Sequence, residues 1–356
     1  MQTEAINPLH SGAVAPNSST NPEVQHRHRR RYLMLSVVAT VLTVGVVLLG
    51  AYVRLSDAGL GCPDWPGCYG HLDVPQEEHH ITAANAAFPE RPVDVPKAWK
   101  EMIHRYFAGA LGLVVLGLAV LAWRYRRRPG QPVLLPTLLL GLIIFQSLLG
   151  MWTVTLQLKP VIVMAHLLGG FATLSLLWLL CLRQSRWASP VPRGPVLHLW
   201  GWLAMAVVIG QIALGGWVSA NYAALACPDF PTCQTSWWPP MDLREGFVLW
   251  RGTGVNYEFG VLDNAARVGI HVMHRLGAVV VMLIVGGLCW RLWRTPRLRP
   301  MALVIGAVLL IQITLGIANV VLVLPLPVAV AHNGVAALLL LTLTTLNYLL
   351  RPGGHS

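Results

Sequence analysis

Apolar stretches of about 20 residues recur eight times along this chain, and they leave one architecture open. Twenty residues of α-helix rise about 30 Å, the thickness of a bilayer's hydrocarbon core. The stretches fall near residues 32–52, 101–123, 133–156, 160–182, 196–220, 268–290, 301–324 and 328–350. A length of 356 residues would allow two or three soluble domains, but a chain that is 55% hydrophobic and 12% charged has no polar surface to cover them. The fold class predicted is all-α: a polytopic membrane protein with eight transmembrane helices. The N-terminal stretch does not read as a cleaved signal, because some 30 mostly polar residues precede a run of full spanning length. Residues 1–30 are expected to be a disordered tail, rich in Asn, Ser, Thr and Pro near its start, and residues 351–356 a short second tail.

A net charge of +11 raises the question of nucleic acid, and its distribution answers it. The charges sit in short loops between apolar runs, so no nucleic-acid partner is expected. Eight spans put both ends of the chain on one side. That side holds 16 of the 26 Lys and Arg and 2 of the 15 acids. The positive-inside rule then predicts cytoplasmic termini in a bacterial-type inner membrane, with the two long loops, 53–99 and 221–266, facing outward.

The chain repeats itself. Gly50-Ala-Tyr-Val and Gly215-Gly-Trp-Val close the first and fifth spans. Cys62-Pro-Asp-Trp-Pro-Gly-Cys68 and Cys227-Pro-Asp-Phe-Pro-Thr-Cys233 follow in the long loops, at the same offset of 165 residues. Gln146-x-x-x-Gly150 and Gln312-x-x-x-Gly316 recur in the third and seventh spans. The expectation is two four-helix halves, 31–190 and 191–350, related by a pseudo-twofold axis along the membrane normal. Symmetry and the oxidising side favour one loop-clamping disulfide in each half, Cys62–Cys68 and Cys227–Cys233. A reactive thiol pair or a metal site is the other reading of the same residues. Cys181 and Cys289 read as packing residues.

Four histidines lie inside apolar runs at repeated positions: His104 and His166 in the first half, His274 and His332 in the second. An ionisable residue at membrane depth is a functional candidate. Two imidazoles per half suit the two axial positions of a haem iron, whereas zinc would want three or four protein ligands. Arg105 and Arg275 directly follow two of these histidines and are candidates for pairing with haem propionates, against ordinary interfacial snorkelling. Glu101 breaks the repeat. It lies three residues before His104 on the same helix face, and its counterpart is His271, for which no role is assigned. Glu101 is either a proton-handling or charge-stabilising carboxylate, or an acid favoured by the helix start.

In combination these features resemble the haem A synthase family, over nearly the whole membrane region: eight helices in two repeats, four helix-borne histidines, Glu101-x-x-His104-Arg105 and the outer cysteine pair. The resemblance implies an oxidoreductase that converts haem O to haem A by oxidising a ring methyl to a formyl group, for use in terminal oxidases. It implies that His104 and His166 flank substrate haem O in the N-terminal half, with Glu101 the functionally important acid. It implies that His274 and His332 are axial ligands of a haem b cofactor in the C-terminal half. Membrane lipid, haem O synthase, terminal-oxidase assembly factors and an unidentified electron acceptor are the partners to test. Two other functions fit four histidines: a two-haem, quinol-oxidising electron-transfer cytochrome, and a non-catalytic haem carrier.

Overall fold

A computed structural model describes residues 22–185, 191 and 195–351. Among these residues eight helices are long and apolar enough to cross a membrane: α1 (Pro22–Leu55), α3 (Val95–Arg124), α4 (Leu134–Thr155), α5 (Pro160–Gln184), α6 (Pro195–Ala220), α8 (Asn264–Trp293), α9 (Arg299–Val321) and α10 (Leu326–Leu349). Two shorter helices lie in the long loops, α2 (Glu78–Ala87) and α7 (Leu243–Gly246). The polytopic all-α architecture expected from hydropathy is the one observed.

The expected tail is corrected at its inner end. Helix α1 begins at Pro22, so residues 22–30 are helical, and only residues 1–21 of the expected disordered segment lie outside the described residues. The basic cluster explains the extension. The Arg29 guanidinium donates to the Gln184 carbonyl at 2.6 and 2.9 Å. His28 meets Gln131 at 3.1 Å and packs edge-on against Tyr125. These contacts hold the polar start of α1 against the neighbouring helix ends.

Helix starts are set locally and twice over. Asp94 caps α3 by accepting from the Lys97 N–H at 3.1 Å, and Asp263 caps α8 by accepting from the Ala266 N–H at 2.8 Å. Helices α4 and α9 both end in two consecutive non-glycine residues with positive φ, Gln157-Leu158 and Val323-Leu324. In each case the chain reverses there into the next helix, which has a proline in its first turn.

The packing pattern repeats with the sequence. In the first half α1 packs on α3 and α5, and α4 packs on α3 and α5. In the second half α6 packs on α8 and α10, and α9 packs on α8 and α10. Each quartet has its own apolar core. One is built around Leu111, Val115, Leu118, Leu139, Leu177 and Leu180, the other around Val208, Val285, Leu288, Ile305, Leu343 and Leu346. Outward-facing side chains such as Leu113 and Leu283 stay exposed, as a lipid-facing surface requires. The quartets meet through α1, α5, α6 and α10. An apolar cavity of about 310 Å³ lies at that seam, lined by Val47, Leu48, Leu174, Ala331 and Val335 among others.

At the loop end the second half reaches over the first. The Tyr257 N–H donates to the Gln157 carbonyl at 3.0 Å, and Arg91 pairs with Glu258 at 3.1 Å. Lys159 is buried, donates to the Gly252 carbonyl, and sits 3.4 Å from the Trp250 ring centroid. A buried ammonium without a carboxylate partner among the described residues is tolerable because carbonyl and ring face replace its water.

Candidate active site

Both cysteine pairs are disulfides, Cys62–Cys68 and Cys227–Cys233. Each loop is folded by the aspartate inside its motif. Asp64 accepts from the N–H groups of Tyr69 and Gly70, both at 2.7 Å. Asp229 accepts from the N–H groups of Gln234 and Thr235 at 2.6 and 3.0 Å, and from the Thr232 hydroxyl. The Thr232 hydroxyl, with those N–H groups, holds the Asp229 carboxyl below its ordinary value. A backbone pair then closes each loop, Cys68 with His71 and Cys233 with Ser236.

These loops sit on the helices that carry the first histidine of each pair. In the first half the Cys62 N–H donates to Glu101 Oε2 at 3.0 Å. In the second the Cys227 N–H points at His271 Nδ1, 3.4 Å away. Glu101 and His271 are both buried. The position three residues before the histidine is therefore an anchor for the disulfide loop in both halves, and only its chemistry differs. This gives His271 the structural place that could not be read from sequence.

Arg105 and Arg275 are loop clamps. Arg105 pairs with Glu101 Oε1 at 2.5 Å and donates to the carbonyls of Asp64 at 3.0 Å, Pro66 at 3.3 Å and Gly67. Arg275 donates to the carbonyls of Thr232, Asp229 and Cys227 at 2.7, 2.9 and 3.0 Å. Their guanidiniums face protein carbonyls, and the Nε of Arg275 is buried with no hydrogen-bond partner among the described residues.

The four histidines are placed alike. His104 is on α3 and His166 on α5, helices that face each other across the first quartet with α1 and α4 on either side. His274 on α8 and His332 on α10 occupy the same places in the second. Every ring lies over a glycine of a flanking helix. A Cβ added at Gly50 would come within 3.0 Å of His104, at Gly215 within 3.2 Å of His274, at Gly316 within 3.1 Å of His332, and at Gly150 within 3.6 Å of His166. The repeated glycines are what bring a bulky ring this close to a neighbouring backbone.

Four residues before each glycine the helix carries Val46, Gln146, Gln211 or Gln312. The Gln211 amide meets His274 Nδ1 at 3.1 Å and also donates to the His274 carbonyl at 2.9 Å. The Gln312 amide meets His332 Nε2 at 3.3 Å. Gln146 sits beside α5, where a Cβ at Gly169 would collide with its amide. The first half therefore has one glutamine where the second has two, since Val46 stands opposite His104. The Gln211-x-x-x-Gly215 stretch was present in the sequence as a third copy of a noted motif, and its link to a histidine 63 residues away was not legible there.

The residues fit a haem. Each half offers two imidazoles on separate helices, and among the described residues neither pair belongs to a group of three or more ligand atoms at metal-holding spacing, which suits axial ligation. The Nδ1 atoms of His104, His166 and His332 are buried without hydrogen-bond partners among the described residues, an arrangement that is costly for rings meant only for packing. The Gln211 and Gln312 side chains each touch a ring nitrogen of His274 or His332, the place where an outer polar group orients a metal-bound histidine.

Residues 33–344 match the model of the cytochrome oxidase assembly protein family, COX15-CtaA. The chain is 48% identical over 315 residues to a protein named Heme A synthase from Shewanella oneidensis, covering 88% of this chain and 94% of that one. It is 26% identical to proteins of the same name from Halalkalibacterium halodurans, over 87% of this chain and 94% of the relative, and from Maricaulis maris, over 86% and 92%. The match runs through all eight spans and both disulfide loops, and this chain belongs to the cytochrome oxidase assembly protein family.

Proposed function

We propose that this membrane protein is an oxidoreductase that makes haem A, oxidising one ring methyl of haem O to a formyl group. The observation that carries the reading is a difference between otherwise matched sites. Glu101, paired with Arg105 and the Cys62 N–H, stands one helical turn from His104, where the second half has His271. A buried carboxylate beside only one histidine pair supports different tasks for the two halves. The repeated contacts of the two quartets support a pseudo-twofold relation between them.

In this reading His104 and His166 hold substrate haem O across the first quartet. Glu101 lies one helical turn from His104 on α3, and its carboxylate takes or holds protons released as the methyl is hydroxylated, with Arg105 keeping that carboxylate in place. Two successive hydroxylations of one carbon followed by loss of water leave the formyl group. His274 and His332 hold haem b, which when bound supplies a one-electron relay out of the reacting half. Gln211 and Gln312 orient those two imidazoles. Arg105 and Arg275 reach propionates through the N–H groups their loops leave unused. The apolar cavity at the seam between the halves has the chemistry to take a hydrocarbon tail. Both termini are cytoplasmic, in accord with the charge distribution, and the disulfide loops face the oxidising side.

The test is expression with a haem O supply, followed by extraction of bound haems. Wild type should accumulate haem A and carry haem b together with haem O or haem A. Substitution of His104, His166 or Glu101 should abolish haem A while haem b remains. Wild type that makes no haem A, or that holds haem b alone at two per chain, overturns the reading.

A further inference from the structure

The first long loop holds histidines that haem chemistry does not use. Glu77 directly precedes α2, and His79 and His80 lie in its first turn. One ligand atom from each of Glu77, His79 and His80 lies within 4.8 Å of the other two. The Glu77 carboxylate is 3.4 Å from His79 Nδ1. The His80 ring centroid is 4.1 Å from that of His79 and 5.1 Å from that of His71.

Glu77, His79 and His80 are neighbours because they are nearly consecutive, and alone they would be a solvated helix start. His71 is different. It comes from another segment, held against Cys68 by two backbone hydrogen bonds of 2.8 and 3.1 Å. Its partner His80 is half-buried, whereas His79 points into water. Two imidazoles and a carboxylate therefore converge at metal-ligand spacing on one surface point, and a third imidazole, from another segment, stands beside them with its ring 5.1 Å from that of His80. In the second half Ser236 takes the place of His71, so the feature is not part of the repeat.

We propose that Glu77, His79, His80 and His71 form a surface site for a borderline divalent metal, zinc being the probe of choice. Imidazole nitrogen with one carboxylate oxygen is a donor set for zinc or copper(II), too nitrogen-rich for magnesium or calcium. Its position assigns it a structural task. Bound metal ties α2 to the Cys62–Cys68 loop, and that loop's Cys62 N–H is the one that holds Glu101. The proposal stands on this cluster alone and does not depend on which haem either half binds.

The untagged full-length protein in detergent, stripped with chelator, is titrated with zinc in competition with a chromophoric chelator. One equivalent should bind. Since loss even of an outer contact to a metal ligand costs about 10–100-fold in affinity, removal of ligands in H79A/H80A should weaken it by at least about 100-fold. The single variant H71A should also weaken it, and H26A/H28A, in the segment at the opposite end, should not. Copper(II) bound in place of zinc should show nitrogen hyperfine structure from more than one imidazole. Haem content equal to wild type confirms that each variant is folded, and E77Q, an exposed isosteric change, gives the same direction without touching a ring. Absence of binding, or an equivalent that survives in H79A/H80A, overturns the site. An equivalent lost in H79A/H80A but unchanged in H71A overturns the tie between α2 and the disulfide loop.

Discussion

The backbone N–H of Cys62 donates to Glu101 Oε2 while Arg105 holds Oε1, so both carboxylate oxygens are engaged with groups that also shape the disulfide loop. Glu101→Gln keeps the side-chain volume and one acceptor for the Cys62 N–H, and removes the charge. Haem A formation should fall by about 100-fold or more, within the range that a positioned acid–base group contributes. Glu101→Ala adds a stability loss of about 1.5–3 kcal/mol, because the half-buried Arg105 guanidinium loses its counter-charge and the Cys62 N–H its acceptor. Haem A per mole of protein, measured beside thermal unfolding, separates the two effects. A glutamine variant with the wild-type yield would remove Glu101 from the chemistry.

Much of this arrangement was legible before any coordinates. Apolar runs of spanning length gave the helices, and the constant offsets of 165 and 166 residues tied the halves together. The four histidines and the Glu101–His271 difference followed from the same repeat. Direction was not legible. Arg105 and Arg275 turn toward loop carbonyls because the disulfide loops fold back over the helix ends, which no periodicity records. The place of His271 opposite the Cys227 N–H was hidden for the same reason. Gln211 and the glycines were visible as motifs without a task, since membrane helices are apolar on both inner and outer faces and hydropathy does not say which side meets a histidine. The helical start of α1 was missed because its polar composition reads as tail until Arg29 finds the Gln184 carbonyl.

The two disulfides should differ in consequence though not in cost. Both close six-residue separations, for which chain entropy gives a stabilisation of about 2 kcal/mol each. Replacing Cys62 and Cys68 by serine should lower stability by about that amount and also reduce haem A formation, since the Cys62 N–H loses its fixed place against Glu101. Replacing Cys227 and Cys233 should lower stability equally, and should lower haem A only in proportion to haem b lost. Unfolding curves, haem b content and haem A yield measured on both double variants decide it. A second-pair variant with full haem b and no haem A would contradict the division of tasks.

Gln211 and Gln312 should act as positioning residues for His274 and His332. Gln211→Leu removes the amide from His274 Nδ1 and should weaken haem retention in the second half by about 10–100-fold. The reduction midpoint of that haem should shift as well, which a purely structural role would not require. The converse change is Val46→Gln, which places an amide opposite His104, where the structure has none. It should tighten haem binding by the first pair and slow release of product. Reductive titration and haem dissociation kinetics read both. Unaltered retention and midpoint in Gln211→Leu would reduce these glutamines to packing.

The glycines beneath the histidines should respond unequally to alanine. A Cβ at Gly50 would lie 3.0 Å from His104, inside ordinary contact, so the ring has to move by a few tenths of an ångström. Overpacking of that kind costs about 1–3 kcal/mol. Gly50→Ala should accordingly weaken binding of haem O by the first pair. At Gly150 the same atom would lie 3.6 Å from His166, an ordinary van der Waals distance. There the replacement of a mid-helix glycine should leave binding unchanged and raise stability by about 0.5–1 kcal/mol. Optical titration of haem O and thermal unfolding of the two variants give both signs. If Gly50→Ala binds as wild type, the His104 ring is not held against α1, and the glycine there serves helix packing alone.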